Sequence, residues 1–308
     1  MKTRLYTHPI CSEHLNAPGH PERPERLRAI AEALAGAEFA ALERVEAPAA
    51  DPQSYTLAHP QAYVEAVAAL IPEMGLARID GDTAASPKSW EAVARAVGGA
   101  LDAVDAVMTG AADNAFVAVR PPGHHAEKHQ AMGFCLINNI AVAARYARNH
   151  HGAERVAIVD FDVHHGNGTQ DIFWDDASVL YASTHQMPLY PGTGAIGETG
   201  VGNIFNAPLW AGDDGEKFRA ALRERILPAI DNFAPDLILI SAGFDAHWRD
   251  PLASLRLAGE DFSWVTGKLM ELADRHCGGK LVSVLEGGYD LEGLAESADA
   301  HVRRLMAG

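Results

Sequence analysis

The chain has 308 residues, 48% hydrophobic and 21% charged, enough apolar material for a sizeable core and too much for a disordered chain. Its 41 acidic residues against 25 Lys plus Arg give a formal net charge of −16, which argues against a nucleic-acid grip, since that needs a basic surface. Three cysteines without C-x-x-C spacing (Cys11, Cys135, Cys277) offer neither a disulfide framework nor a thiolate metal site, and no apolar run approaches a membrane span, so a soluble, cytoplasmic protein is expected.

Near the start, "HPERPERLRAI" (20–30) fits either a helix start with prolines placing the first turn or a loop flanking an active site, and both readings stay open. A loop-rich stretch at 72–88 precedes a helical pattern, "SWEAVARAVGGALDAVDAVMTG" (89–110). The apolar run "AFVAV" (115–119) is the first predicted strand, followed by a helix over 138–150. Strands are predicted at 155–163, 178–184, 236–245 and 280–288, with helices at 214–233 and 259–277 between them. Strands alternating with helices predict an α/β fold, one domain over 1–308 around a mostly parallel sheet flanked by helices. The runs are continuously apolar, as suits strands covered on both faces. The long stretch 186–215 reads as a functional loop. Its "GTGAIG" (192–197) matches a dinucleotide fingerprint but follows no strand and starts no helix, so a loop lining the substrate is the better reading.

The chemistry gathers where the strands stop. After 115–119 comes "RPPGHHA", after 155–159 "DFDVHHGNGT", after 236–242 "GFDAH" and after 280–285 "EGGYD". Carboxyl ends of strands in an open parallel sheet lie along one edge, where ligand crevices form. If the strand continues, Asp160, Asp162 and His164 project to one face. With Asp245 from another strand, Asp162 and His164 make two carboxylates and an imidazole, a set that leaves a metal position open for water or substrate. Such oxygen-rich ligation is compatible with zinc, Fe(II), Co(II) or Mn(II). His124 and His125 are candidates for acid–base work beside such an ion, and Tyr289 for hydrogen-bonding a developing oxyanion.

"RPPGHHA", "GFCLINNIAVAA", "VDFDVHHGNGTQ", "YPGTG", "SAGFDAHWRDPL" and "LEGGYDL", in this order and spacing, resemble the zinc-dependent histone deacetylase superfamily over nearly the whole chain. Asn in "HHGNG" makes the sequence most similar to the class II branch and its bacterial relatives, the histone deacetylase-like and acetylpolyamine amidohydrolases. The resemblance implies a three-layer arginase/deacetylase fold with Zn2+ on Asp162, His164 and Asp245. It implies His125 as general base and acid with Asn167 as partner, His124 paired with Asp160, and Tyr289 polarising the scissile carbonyl. Phe134 and Tyr190 would line a tunnel for the acyl-lysine stem together with Gly133, Leu252 and Gly287; Tyr190 stands where Phe is usual. A structural K+ would sit on Asp160, Asp162, His164, Ser183 and Thr184. Leu252 occupies the place where polyamine-selective relatives carry a Glu. The expected activity is hydrolysis of acetyl-lysine or a related acyl-lysine in a peptide or protein. A small acylated amine is the alternative substrate, and a non-catalytic acyl-lysine binder the alternative from another class. An arginase-type binuclear hydrolase would need further ligands around these motifs.

Overall fold

The computed structural model describes all 308 residues. Ten strands are present: β1 (Thr3–Thr7), β2 (Glu43–Glu46), β3 (Ala77–Arg78), β4 (Ala84–Ala85), β5 (Asn114–Val117), β6 (Val156–Asp160), β7 (Val179–Gln186), β8 (Ile204–Leu209), β9 (Leu237–Ala242) and β10 (Leu281–Leu285). Eight of them form one parallel sheet in the order β2-β1-β5-β10-β9-β6-β7-β8, and β3 pairs with β4 in a separate antiparallel hairpin. The four site-bearing strands, β5, β10, β9 and β6, are immediate neighbours at the centre, which places their carboxyl ends side by side.

Every residue of those four strands is buried, because helices cover both faces. Alternation along β6 divides the core: Ala157 and Val159 join one apolar cluster, Val156 and Ile158 the other. The first cluster is filled by α1 (Glu25–Ala33), α6 (Gly215–Ala221), α7 (Leu227–Phe233), α8 (Gly259–Cys277) and α9 (Leu291–Ala307), through residues such as Ile30, Phe218, Ile230, Val265 and Val302. The second is filled by α2 (Gln61–Ala69), α3 (Ser89–Met108) and α4 (Asn139–His151), through Val64, Val97, Ala100 and Ile140. Asn138 caps α4 by accepting the Ala141 N–H, an interaction of about 1 kcal/mol.

The predicted strand centres hold, and three sheet strands were not expected. β2 forms one edge of the sheet with β1 beside it, and β8 lies inside the stretch read as a loop over 186–215. The run 214–233 is one helical path interrupted by a wider turn at Leu222–Ile226, just before Pro228. The most consequential correction concerns 155–163: β6 ends at Asp160, so Asp162 and His164 lie in bends beyond the strand. Strand alternation therefore does not bring them together; turns stabilised by carboxylates do.

Candidate metal centre and active site

Asp162, His164 and Asp245 offer ligand atoms that all lie within 4.8 Å of one another, and all three residues are buried. His164 Nδ1 is 3.1 Å from both Asp162 Oδ1 and Asp245 Oδ2. The backbone folds around the carboxylates. Asp160 Oδ1 accepts the Asp162 N–H, Asp162 Oδ1 the His164 N–H and Asp245 Oδ1 the Val163 N–H, at 2.8–3.1 Å. Two carboxylates and an imidazole fit a divalent cation with a position left open. The surroundings fit as well: a Cβ on Gly287 would stand 2.1 Å from Asp245 Oδ2 and 2.5 Å from Asp162 Oδ2, so only glycine leaves these oxygens room.

The two adjacent histidines separate by partner. His124 Nδ1 lies 3.0 Å from Asp160 Oδ2, whose oxygen also accepts from the Tyr181 hydroxyl. Burial opposes a charge on His124, but Asp160, Asp162 and Glu286 outweigh it and raise its pKa to about 10. His125 Nδ1 meets Asn167 Oδ1 at 2.8 Å. Burial, with His124 and His164 nearby, holds its pKa well below the ordinary value, so the imidazole is neutral.

Tyr289 is buried, and burial together with Asp245 raises its pKa well above the ordinary phenol value, so it stays a proton donor. Its ring lies 5.0 Å below the Arg26 guanidinium. Arg26 donates to the carbonyls of Glu286 and Gly288, gripping the turn that carries Tyr289. Glu22 pairs with both Arg26 and Arg120. The segment 20–30 is thus both things it resembled, a helix start at Glu25 and a support for the site. Sequence reasoning offered a loop flanking the site but missed the ion pairs of Glu22, although Glu22 and Arg26 carry the i,i+4 spacing of a helical ion pair. It also missed Glu286, which accepts the Gly123 and His124 N–H groups at 2.7 and 3.1 Å, and Asp250, which accepts those of Tyr289 and Leu252 at 2.7 and 3.0 Å.

Phe134 stands edge-on to Tyr289 at 5.8 Å, and Tyr190 edge-on to His125 at 5.2 Å. Gly133, at φ +56°, packs against His125, where an added Cβ would come within 2.5 Å of the ring. Leu252 is half-buried and bound to the carboxylate that holds Tyr289. Ser183 is opposite Asp160 in the β6–β7 register, and the Thr184 hydroxyl is buried without a partner. His165 points away, to Thr193 and Gln170. A surface cavity of about 530 Å³ lies elsewhere; two of the carboxylates lining it are already bonded, Asp102 to Tyr6 and Asp105 to Tyr146 and His151.

Comparison with known proteins shows the family of the chain. A family model described as the histone deacetylase domain matches residues 20–305. The histone deacetylase-like amidohydrolase of Pseudomonas aeruginosa is 42% identical over 89% of this chain and 73% of its own length. A probable deacetylase of Archaeoglobus fulgidus is 38% identical over 100% of this chain and 87% of its own. The crystal structure of the HDA15 HD domain superposes with a TM-score of 0.94 at 39% identity, covering 99% of this chain and 88% of that one. No helix is long and apolar enough to cross a membrane. The chain belongs to the histone deacetylase family and is an amide hydrolase of the deacetylase type.

Proposed function

We propose that the chain, as one catalytic unit, is a zinc-dependent deacylase acting on acetyl-lysine or a related acyl-lysine in peptides or proteins. The observation that carries this reading is the convergence of Asp162, His164 and Asp245 with two proton-handling groups, His125 and Tyr289, at one sheet edge. Zinc held by Asp162, His164 and Asp245 would polarise the amide carbonyl and lower the pKa of the attacking water. His125 takes the water's proton at Nε2, because Nδ1 is occupied by Asn167. It then returns that proton to the departing amine nitrogen. Tyr289 donates its phenolic proton as a hydrogen bond to the carbonyl oxygen as negative charge develops there. His124, cationic beside Asp160, adds positive potential without needing to exchange its proton. Phe134 and Tyr190 enclose the aliphatic stem of the substrate and exclude bulk water.

A monovalent cation, K+, would be held beside β6 by Asp160, Asp162, His164, Ser183 and Thr184. The Asp162 and His164 carbonyls accept no main-chain N–H, and the Thr184 hydroxyl has no partner. Three free, buried cysteines suit a reducing cytoplasmic setting.

One observation favours a small acylated polyamine as a second reading. Asp82, Asp80 and Glu127 all act on the Tyr190 phenol, so the wall beside His125 is acidic and would attract a second cationic centre. Competition between an acetyl-lysine peptide and N-acetylputrescine on the purified enzyme separates the two. The proposal expects the peptide to have the higher kcat/KM, and a preference for the polyamine would replace it with the second reading.

A further inference from the structure

We propose that Glu127 is a positioning residue that sets the tautomer of His125; this rests on the reading of His125 as the base. An Asn amide can turn either end toward a neighbour, and only its partners decide which. Asn167 Nδ2 lies 2.6 Å from Glu127 Oε1. A carboxylate only accepts, so the nitrogen end of Asn167 must face Glu127 and its carbonyl must face His125. That carbonyl also only accepts, so His125 Nδ1, 2.8 Å away, carries the hydrogen. Nε2 is then left with the lone pair that proton abstraction requires. The other neighbour of Nδ2, Met132 Sδ at 3.3 Å, is a weak acceptor and does not fix the amide.

Glu127 is itself held in place. Its N–H donates to the Gln130 carbonyl at 2.9 Å, and the Gln130 N–H returns to the Glu127 carbonyl at 3.4 Å. The next residue, Lys128, donates its N–H to Asp171 on the short helix Asn167–Ile172, which also carries Asn167. Carboxylate, amide and imidazole therefore sit on two segments fastened to each other. The negative charge stands one residue further from His125 than it would with Asp in place of Asn167, so the base is oriented without a carboxylate against its ring. Without Glu127 the amide is free to turn its NH2 toward Nδ1, which moves the imidazole hydrogen to Nε2 and disables the base.

Two measurements on the metal-loaded enzyme test this. Imidazole ¹⁵N shifts of His125 should report the Nδ1–H tautomer in the native protein and the Nε2–H form or a mixture in Glu127→Ala. In the same variant kcat should fall about 10- to 100-fold with KM nearly unchanged. Glu127→Gln, whose carbonyl oxygen still accepts the bond, should recover part of that loss. Asn167→Asp alone should be impaired, because it sets two carboxylates against each other. Asn167→Asp combined with Glu127→Gln should be more active than Asn167→Asp, since the Gln amide donates to the new carboxylate. An unchanged tautomer in Glu127→Ala, or strictly additive effects of the two substitutions, would overturn the proposal. Full activity of His125→Ala would instead overturn the reading on which it rests, so the two failures are distinguishable.

Discussion

Gly287 lacks a side chain at the one place where a methyl group would press on both carboxylates of the candidate metal centre, 2.1 Å from Asp245 and 2.5 Å from Asp162. Gly287→Ala should therefore lose bound metal in a folded protein, which metal analysis alongside circular dichroism would check. Tyr289→Phe removes the hydroxyl proposed to donate to the developing oxyanion. It should cut kcat by about 10²–10³ in a fluorogenic acetyl-lysine assay, and unchanged kcat would remove the phenol from the mechanism. Asp162, His164, Asp245 and the two histidines were legible because residues costly to bury stood directly after apolar strands. Glu286, Arg120 and Asp250 were not. Their work is to satisfy backbone N–H and C=O groups of segments distant in the chain, and only folding reveals those partners. Glu127 escaped for a related reason, since its meaning depends on which end of Asn167 it meets.

Among the elements, the segment between β7 and β8 shows how the proposed tunnel wall is held. Glu198 accepts the N–H groups of Gly194 and Ala195 and the side-chain amide of Gln170, fastening the loop that carries Tyr190 to the helix after the metal motif. His165 and His185 hold the same loop through Thr193 and the Gly194 carbonyl. Glu198→Ala should raise KM several-fold while kcat changes less, because Tyr190 is proposed to grip substrate and the proposed proton-handling groups lie on other segments. Steady-state kinetics would separate the two effects, and a fall in kcat alone would contradict it. This region was legible as a functional loop, but its end was not. β8 follows glycine-rich sequence and is only partly covered, so its apolar run is weak. β1 and β2 were hidden because charged and polar residues interrupt them (TRLYT and ERVE), whereas the five strands whose every residue is buried announced themselves as apolar-rich runs.

At the scale of the whole molecule, the core includes titratable groups that make stability depend on pH. His301 is buried between Thr266 and Ser283, with phenylalanine rings around it, and burial lowers its pKa from 6.5 to about 3. The unfolded chain takes up that proton first as pH falls. Its stabilising effect is therefore complete above about pH 6.5 and is lost progressively toward pH 3, by about 2 kcal/mol at pH 5. Denaturation of His301→Gln across this range should show a shallower pH slope than the native protein. Removing the ion should also lower Tm, since a ligand bound only by the folded state stabilises it by mass action. The account as a whole stands on Asp162, His164 and Asp245 sharing one divalent ion. Metal analysis of purified protein beside acyl-lysine hydrolysis, for the native chain and Asp245→Asn, tests this most directly. The account predicts one bound ion per native chain, activity that disappears on chelation and returns with zinc, and a folded variant with neither ion nor activity. Full hydrolysis by a metal-free preparation, or unchanged metal content in the variant, would contradict it.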